Sequence, residues 1–73
     1  MTAEEMFEKL GYTLTSLLID LPKYENGDWW IEFKKDKTVT IGNWNEMLGE
    51  TTWINVDFEL INAIQKQIEE LGW

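Results

Sequence analysis

Apolar residues recur at helical spacing near both ends of this chain and at alternate positions through its middle. Near the start, Met6, Phe7 and Leu10 form one stripe directly after Thr2-Ala3-Glu4-Glu5. Those four residues make a capping box. Thr2 at the N-cap and Glu5 at N3 each satisfy a backbone N–H that a first helical turn leaves open. Gly11 suits the left-handed position that ends a helix. The pattern predicts a helix from Ala3 to Leu10, with Glu4, Glu5 and Glu8 toward its outer side. Toward the other end, Asp57 is a good N-cap, and Val56 and Ile61 stand where a hydrophobic staple forms. Leu60, Ile61, Ile64, Ile68 and Leu71 follow at helical spacing. Gly72 closes that second helix, and Trp73 can fold back over its last turn.

The middle reads as strands. Tyr12 to Leu21 is rich in Thr, Leu and Ile, but both of its faces are apolar near the end, so its inward side stays open. Pro22 has no N–H for a ladder and stops the strand. Asn26-Gly27 marks a turn within a loop over Lys23–Asp28. Trp29 to Lys34 alternates, with Trp29, Ile31 and Phe33 toward a core and Trp30, Glu32 and Lys34 away from it. Lys35-Asp36-Lys37 makes a turn. Thr38 to Gly42 is a third strand with Val39 and Ile41 inward. Asn43 to Thr51 is a loop or wide hairpin carrying Trp44 and Met47. Thr52 to Val56 is a fourth strand, with Trp53 and Asn55 opposite Ile54 and Val56.

The order α-β-β-β-β-α with short turns predicts one α+β domain over residues 1–73. It is a small antiparallel sheet of three to four strands flanked by an N-terminal and a C-terminal helix. Two helices can cover one face of such a sheet and leave the other wet. A chain of 73 residues buries only roughly 60–65% of its unfolded surface, so the core is thin. Five Trp, three Phe and two Tyr compensate.

Composition then narrows the chemistry. The chain has 14 acidic and 6 basic residues, a net charge of −8, and no His, Cys or Arg. Disulfides and Cys- or His-based zinc sites are excluded. Ser16 is a lone serine in mid-strand without a base beside it, so nucleophilic catalysis has no foundation. The glycines are isolated and form no phosphate loop. No cofactor is expected, and the chain reads as not an enzyme. Phosphate and anionic membrane surfaces call for a basic patch. The Lys34, Lys35 and Lys37 group, interrupted by Asp36, reads as a solvated turn. Direct nucleic-acid and membrane binding are therefore not expected. The longest apolar run, Leu17-Leu18-Ile19, cannot span a membrane, and Met1-Thr2-Ala3-Glu4-Glu5 lacks the basic region of a signal peptide. Those features suit a cytoplasmic protein.

Two features remain open to opposite readings. The acidity either serves solubility or imitates a nucleic-acid backbone in the basic groove of a partner. The tryptophans either fill the core or form an interface, and Trp30, Trp44 and Trp53 fall on outward or loop positions. Asp28, Trp30, Glu32, Trp44, Glu46 and Glu50 together make the candidate partner-binding surface, acids beside outward aromatics.

The stretches Thr2-Ala3-Glu4-Glu5-Met6-Phe7-Glu8-Lys9-Leu10-Gly11-Tyr12 and Ala63-Ile64-Gln65-Lys66-Gln67-Ile68-Glu69-Glu70-Leu71-Gly72-Trp73 resemble the opening and ending of short acidic proteins of Gram-positive phages and mobile elements. The likeness covers the two helices, about a third of the chain, and leaves out the Trp-rich middle. It implies a phage-encoded inhibitor of the anti-CRISPR kind in the cytoplasm of a bacterial host. Such a protein acts by binding a CRISPR effector nuclease and blocking its DNA recognition. The alternative is a non-catalytic structural or assembly accessory protein of the mobile element, paired as a homodimer. The likeness carries no binding residue with it.

Overall fold

The structure is a computed structural model that describes residues 1–15, 21–44 and 56–73. Its elements are α1 (Ala3–Lys9), β1 (Thr13–Leu14), β2 (Lys23–Asn26), β3 (Trp29–Phe33), β4 (Val39–Asn43) and α2 (Phe58–Leu71). The strands form one antiparallel sheet in the order β1-β2-β3-β4, so sequence neighbours are also neighbours in space. This is the expected α+β arrangement of an N-terminal helix, a four-stranded antiparallel sheet and a C-terminal helix.

The helix ends follow the sequence closely. Thr2 and Glu5 form the reciprocal capping box, with the Glu5 N–H donating to Thr2 Oγ1 and the Thr2 N–H donating to Glu5 Oε1 at 2.9 Å. Asp57 accepts the Leu60 N–H at 2.9 Å. Both helices terminate alike. Gly11 and Gly72 sit at positive φ, and the aromatic residue after each donates its N–H back into the last turn. Tyr12 donates to the Phe7 carbonyl and Trp73 to the Ile68 carbonyl. This paired-bond ending satisfies carbonyls that a helix otherwise leaves open, and it turns an aromatic ring toward the core. The seven-residue α1 is too short to hold as an isolated helix, so caps and packing must hold it.

The core lies between the two helices and one face of the sheet. Phe7, Tyr12, Tyr24, Ile31, Phe33, Leu60 and Ala63 are buried in it. The Phe7 and Tyr24 rings stack at 3.9 Å, and Phe33 meets both edge-on at 6.4 Å. Trp73 closes one end, 6.1 Å from Phe33. The Tyr24 hydroxyl donates to Gln67 Oε1 inside the core, and the Ala3 N–H donates to Glu70 Oε2 at 2.8 Å. The first bond ties the sheet to α2, and the second ties α1 to α2.

Four expectations need correction. Lys23–Asp28 is not a loop: Lys23–Asn26 is β2, and Asn26 pairs with Trp29 across a two-residue turn. Gly27 takes φ 61, which such tight hairpins require. Within the expected Tyr12–Leu21 strand, Thr13–Leu14 is the described ladder segment. Tyr12 is spent on the cap of α1, and Leu21 lies in a bend before Pro22. Asn43 is not in a loop but ends β4, buried opposite Trp29. In α2, Ile61 belongs to the exposed side, at 45% exposure, while Ala63 and Gln67 are buried beside Leu60. The expected fourth strand falls at 52–55, outside the described residues. Val56, its last position, is exposed and outside any strand.

Candidate functional site

Alternation divides the sheet into two faces. Paired residues on neighbouring strands share a face, so Leu14, Tyr24, Ile31 and Ile41 lie beneath the helices. The opposite face carries Thr13, Lys23, Glu25, Trp30, Glu32, Thr40 and Gly42 by the same register. None of its described side chains belongs to the core.

Trp30 is the centre of that face. Its partner across the ladder is Gly42, and the indole lies directly against the glycine. A Cβ built at Gly42 would fall 2.2 Å from the Trp30 ring. Glycine is therefore what lets the indole rest on the strand, and the ring in turn shields backbone that a bare glycine would expose. Trp44 stands beside it, with ring centroids 4.9 Å apart at 56°. Trp44 is 46% exposed, and its backbone N–H donates to the Asp28 carbonyl at 3.0 Å. That bond fixes the chain leaving β4 against the β2–β3 turn and holds the second indole next to the first. Lys23 Nζ lies 5.6 Å from the Trp30 ring centre, within reach of a cation–π attraction.

Of the six sequence-predicted residues, four are described. Trp30 and Trp44 are brought into contact. Glu32 shares the face of Trp30 and is half-buried. Asp28 is exposed in the turn and meets Trp44 through its backbone. Glu46 and Glu50 lie outside the described residues. Lys23 and Glu25 also share this face; a loop over Lys23–Asp28 hides them, although Asn26-Gly27 is a hairpin signal that implies strands on both sides.

The charge is distributed differently from what the acids-beside-aromatics reading expects. Over residues 21–44, Lys23, Lys34, Lys35 and Lys37 balance Glu25, Asp28, Glu32 and Asp36. The helical layer instead carries Glu4, Glu5, Glu8, Asp57, Glu59, Glu69 and Glu70 against Lys9 and Lys66. Among the described residues, segment 21–44 is thus neutral, and the excess of negative charge lies on the helical layer.

Titration follows these placements. Burial is the main cause that pushes the Tyr24 hydroxyl up to about 12, helped by Glu4, Glu70 and Glu8. Burial also raises Tyr12, with Asp57 adding to it. Glu5 is held below its ordinary range by the Thr2 backbone and side-chain hydrogen bonds, and Asp36 by the Thr38 hydroxyl. Among the described residues, no cluster of carboxylates is grouped to hold a metal ion, and no helix is long and apolar enough to cross a membrane. No known family, characterised protein or solved structure matches the chain.

Proposed function

We propose that this chain is a phage-encoded, non-catalytic protein inhibitor of the anti-CRISPR kind. It binds a CRISPR effector nuclease in the cytoplasm of the bacterial host and blocks its DNA recognition through the face that carries Trp30 and Trp44. The observation that supports this most is the paired indoles held on the sheet face turned away from the core. Half-exposed tryptophans seated on a rigid sheet are what binding hot spots are made of. The described part of that face is near neutral, so the indoles carry the contact there, and the net charge of −8 contributes only long-range attraction to a basic partner. The class of target comes from the phage-like ends of the chain.

The test is capture of the effector from a Gram-positive host lysate by the tagged chain, followed by DNA-cleavage assays. Trp44→Ala should weaken capture and inhibition strongly, and Glu32→Lys should lessen the salt dependence. Binding that ignores both substitutions would defeat this reading. The same exposed indoles also suit a second reading, a homodimeric assembly protein of the mobile element. A tight dimer in sedimentation that buries Trp44 from quencher would favour it.

A further inference from the structure

The two edges of the sheet are finished differently. β1, at one edge, has a ladder of two residues, and a very short edge strand is one way a protein denies its backbone to other chains. β4, at the other edge, is five residues long and pairs with β3 in unbroken register, so no bulge twists it away. It carries no charge and no proline. Thr38-Val39-Thr40-Ile41 is a run of β-branched residues, the type that suits a strand best. Bonds at both ends of the ladder fix the direction of its backbone groups. The backbone N–H of Lys34 donates to the Thr38 carbonyl, and that of Trp44 to the Asp28 carbonyl. Antiparallel partners alternate between bonded and non-bonded pairs, so Thr38, Thr40, Gly42 and Trp44 turn their backbone groups toward β3. Val39 and Ile41 turn theirs outward, and both residues are partly exposed. Asn43, 1% exposed, marks where the accessible edge ends.

We infer that this edge pairs with the same edge of a second copy, antiparallel about a twofold axis at Thr40, so that two sheets become one. Val39 of each copy then stands opposite Ile41 of the other, and the two exchange the N–H and C=O groups that face away from β3. Thr40 meets Thr40 of the second copy on the open face. Each cross-strand pair is of a kind that sheets favour, β-branched against β-branched and Thr against Thr. Val39 and Ile41 already pack against the core, so the pairing continues the apolar underside from one copy into the next. Electrostatics selects the occupant as well. Two chains of net charge −8 repel wherever their acidic helical layers meet, whereas β4 is uncharged and segment 21–44 is neutral. A basic segment would find no carboxylate on β4 to pair with. A contact between two short strands is small, which makes the dimer weak and reversible. The pairing leaves the Trp30–Trp44 face open and does not depend on what that face binds.

The test is sedimentation of the full chain across a concentration series, with amide hydrogen exchange read by NMR. The wild type should associate as concentration rises. Protection should grow at Val39 and Ile41, and the Trp30 and Trp44 indole signals should stay in place. Thr40→Lys should leave the monomer folded, because the new ammonium faces Glu32 across the ladder, yet it sets two like charges against each other in the dimer. It should raise the dissociation constant about fivefold. Thr40→Glu should weaken the dimer in the same way, and an equimolar mixture of the two variants should associate more tightly than either alone. Circular dichroism verifies that the variants fold. A chain that stays monomeric at millimolar concentration would overturn the proposal. So would a dimer indifferent to both variants, or one whose formation shifts the indole signals. Protection of Val39 and Ile41 that ignores concentration would overturn it too, because the edge would then be closed within the chain. Protection that arises only with an effector nuclease present would do the same, because the added strand would then be the partner's.

Discussion

On one side of the sheet, Tyr24, Ile31 and Phe33 lie under two helices, almost fully excluded from water. On the other, Lys23, Glu25, Trp30, Glu32 and Thr40 remain half-exposed on the same strands. The two faces differ by one residue of register, and that step separates the packed side of the sheet from the open one. The covered face gathers rings that pack on each other. The open face spends a large aromatic on a glycine and sets a second indole beside it. A tryptophan that fills no core cavity contributes less to folding, so its place in a thin-cored domain calls for another role.

The sharpest way to break this contrast is to empty each face in turn. Phe7→Ala should cost about 3–5 kcal/mol in urea unfolding, since it removes the ring stacked on Tyr24 and leaves a cavity. That is a large part of the whole stability of a domain this size, at about 0.05–0.15 kcal/mol per residue. Trp44→Ala should stay within about 1 kcal/mol, as expected for an exposed position. Equal losses would mean that the two faces do not divide the work.

Gly42→Ala probes the open face alone. The new methyl would collide with the Trp30 ring, so the indole must move off the strand. A cost of about 1–3 kcal/mol is expected, together with loss of the near-ultraviolet signal of the Trp30–Trp44 pair. An unchanged signal would show that the indole does not lie on Gly42.

Tyr24→Phe tests the polar tie in the covered face. It strands Gln67 Oε1 in the core and should cost about 1–2 kcal/mol. It also changes the alkaline limb. A tyrosine held up to about 12 when folded contributes stability that is complete below its unfolded value near 10 and is lost as pH rises through about 12. The wild type should lose stability over that window, and Tyr24→Phe should lose less, with burial-raised Tyr12 accounting for the remainder.

The smallest effect concerns the acidic layer. Thr2→Ala removes the cap of α1 at about 1 kcal/mol. Glu5 is held low by Thr2, so its contribution is present above the ordinary carboxylate range and disappears as pH falls through its lowered folded value. Thermal melts from pH 6 downward should show the wild type losing this increment and Thr2→Ala having little of it to lose.

The helices were legible in the sequence because their signals are local. The Thr2–Glu5 box, Asp57, Gly11 and Gly72 each act within a few residues of themselves. The alternation of Trp29 to Phe33 was equally plain. β2 was not, because Tyr24 is its one large apolar residue and four residues are too few to show a period. Its identity as a strand comes from pairing with β3, a contact that no local pattern contains. Trp30 and Trp44 were recognised as outward, but their contact depends on Gly42 and on the Asp28 carbonyl. The neutral balance of the sheet could have been counted along the chain once the strands of the open face were known.

The claim that the Trp face is the inhibitory surface is tested most directly by DNA cleavage with a guide-loaded CRISPR effector nuclease. The wild-type chain, Trp44→Ala and Trp30→Ala would be compared at equal concentration, with their folding verified by circular dichroism. The account predicts that the wild type blocks cleavage and that either substitution largely restores it. Full inhibition by both folded variants would contradict it.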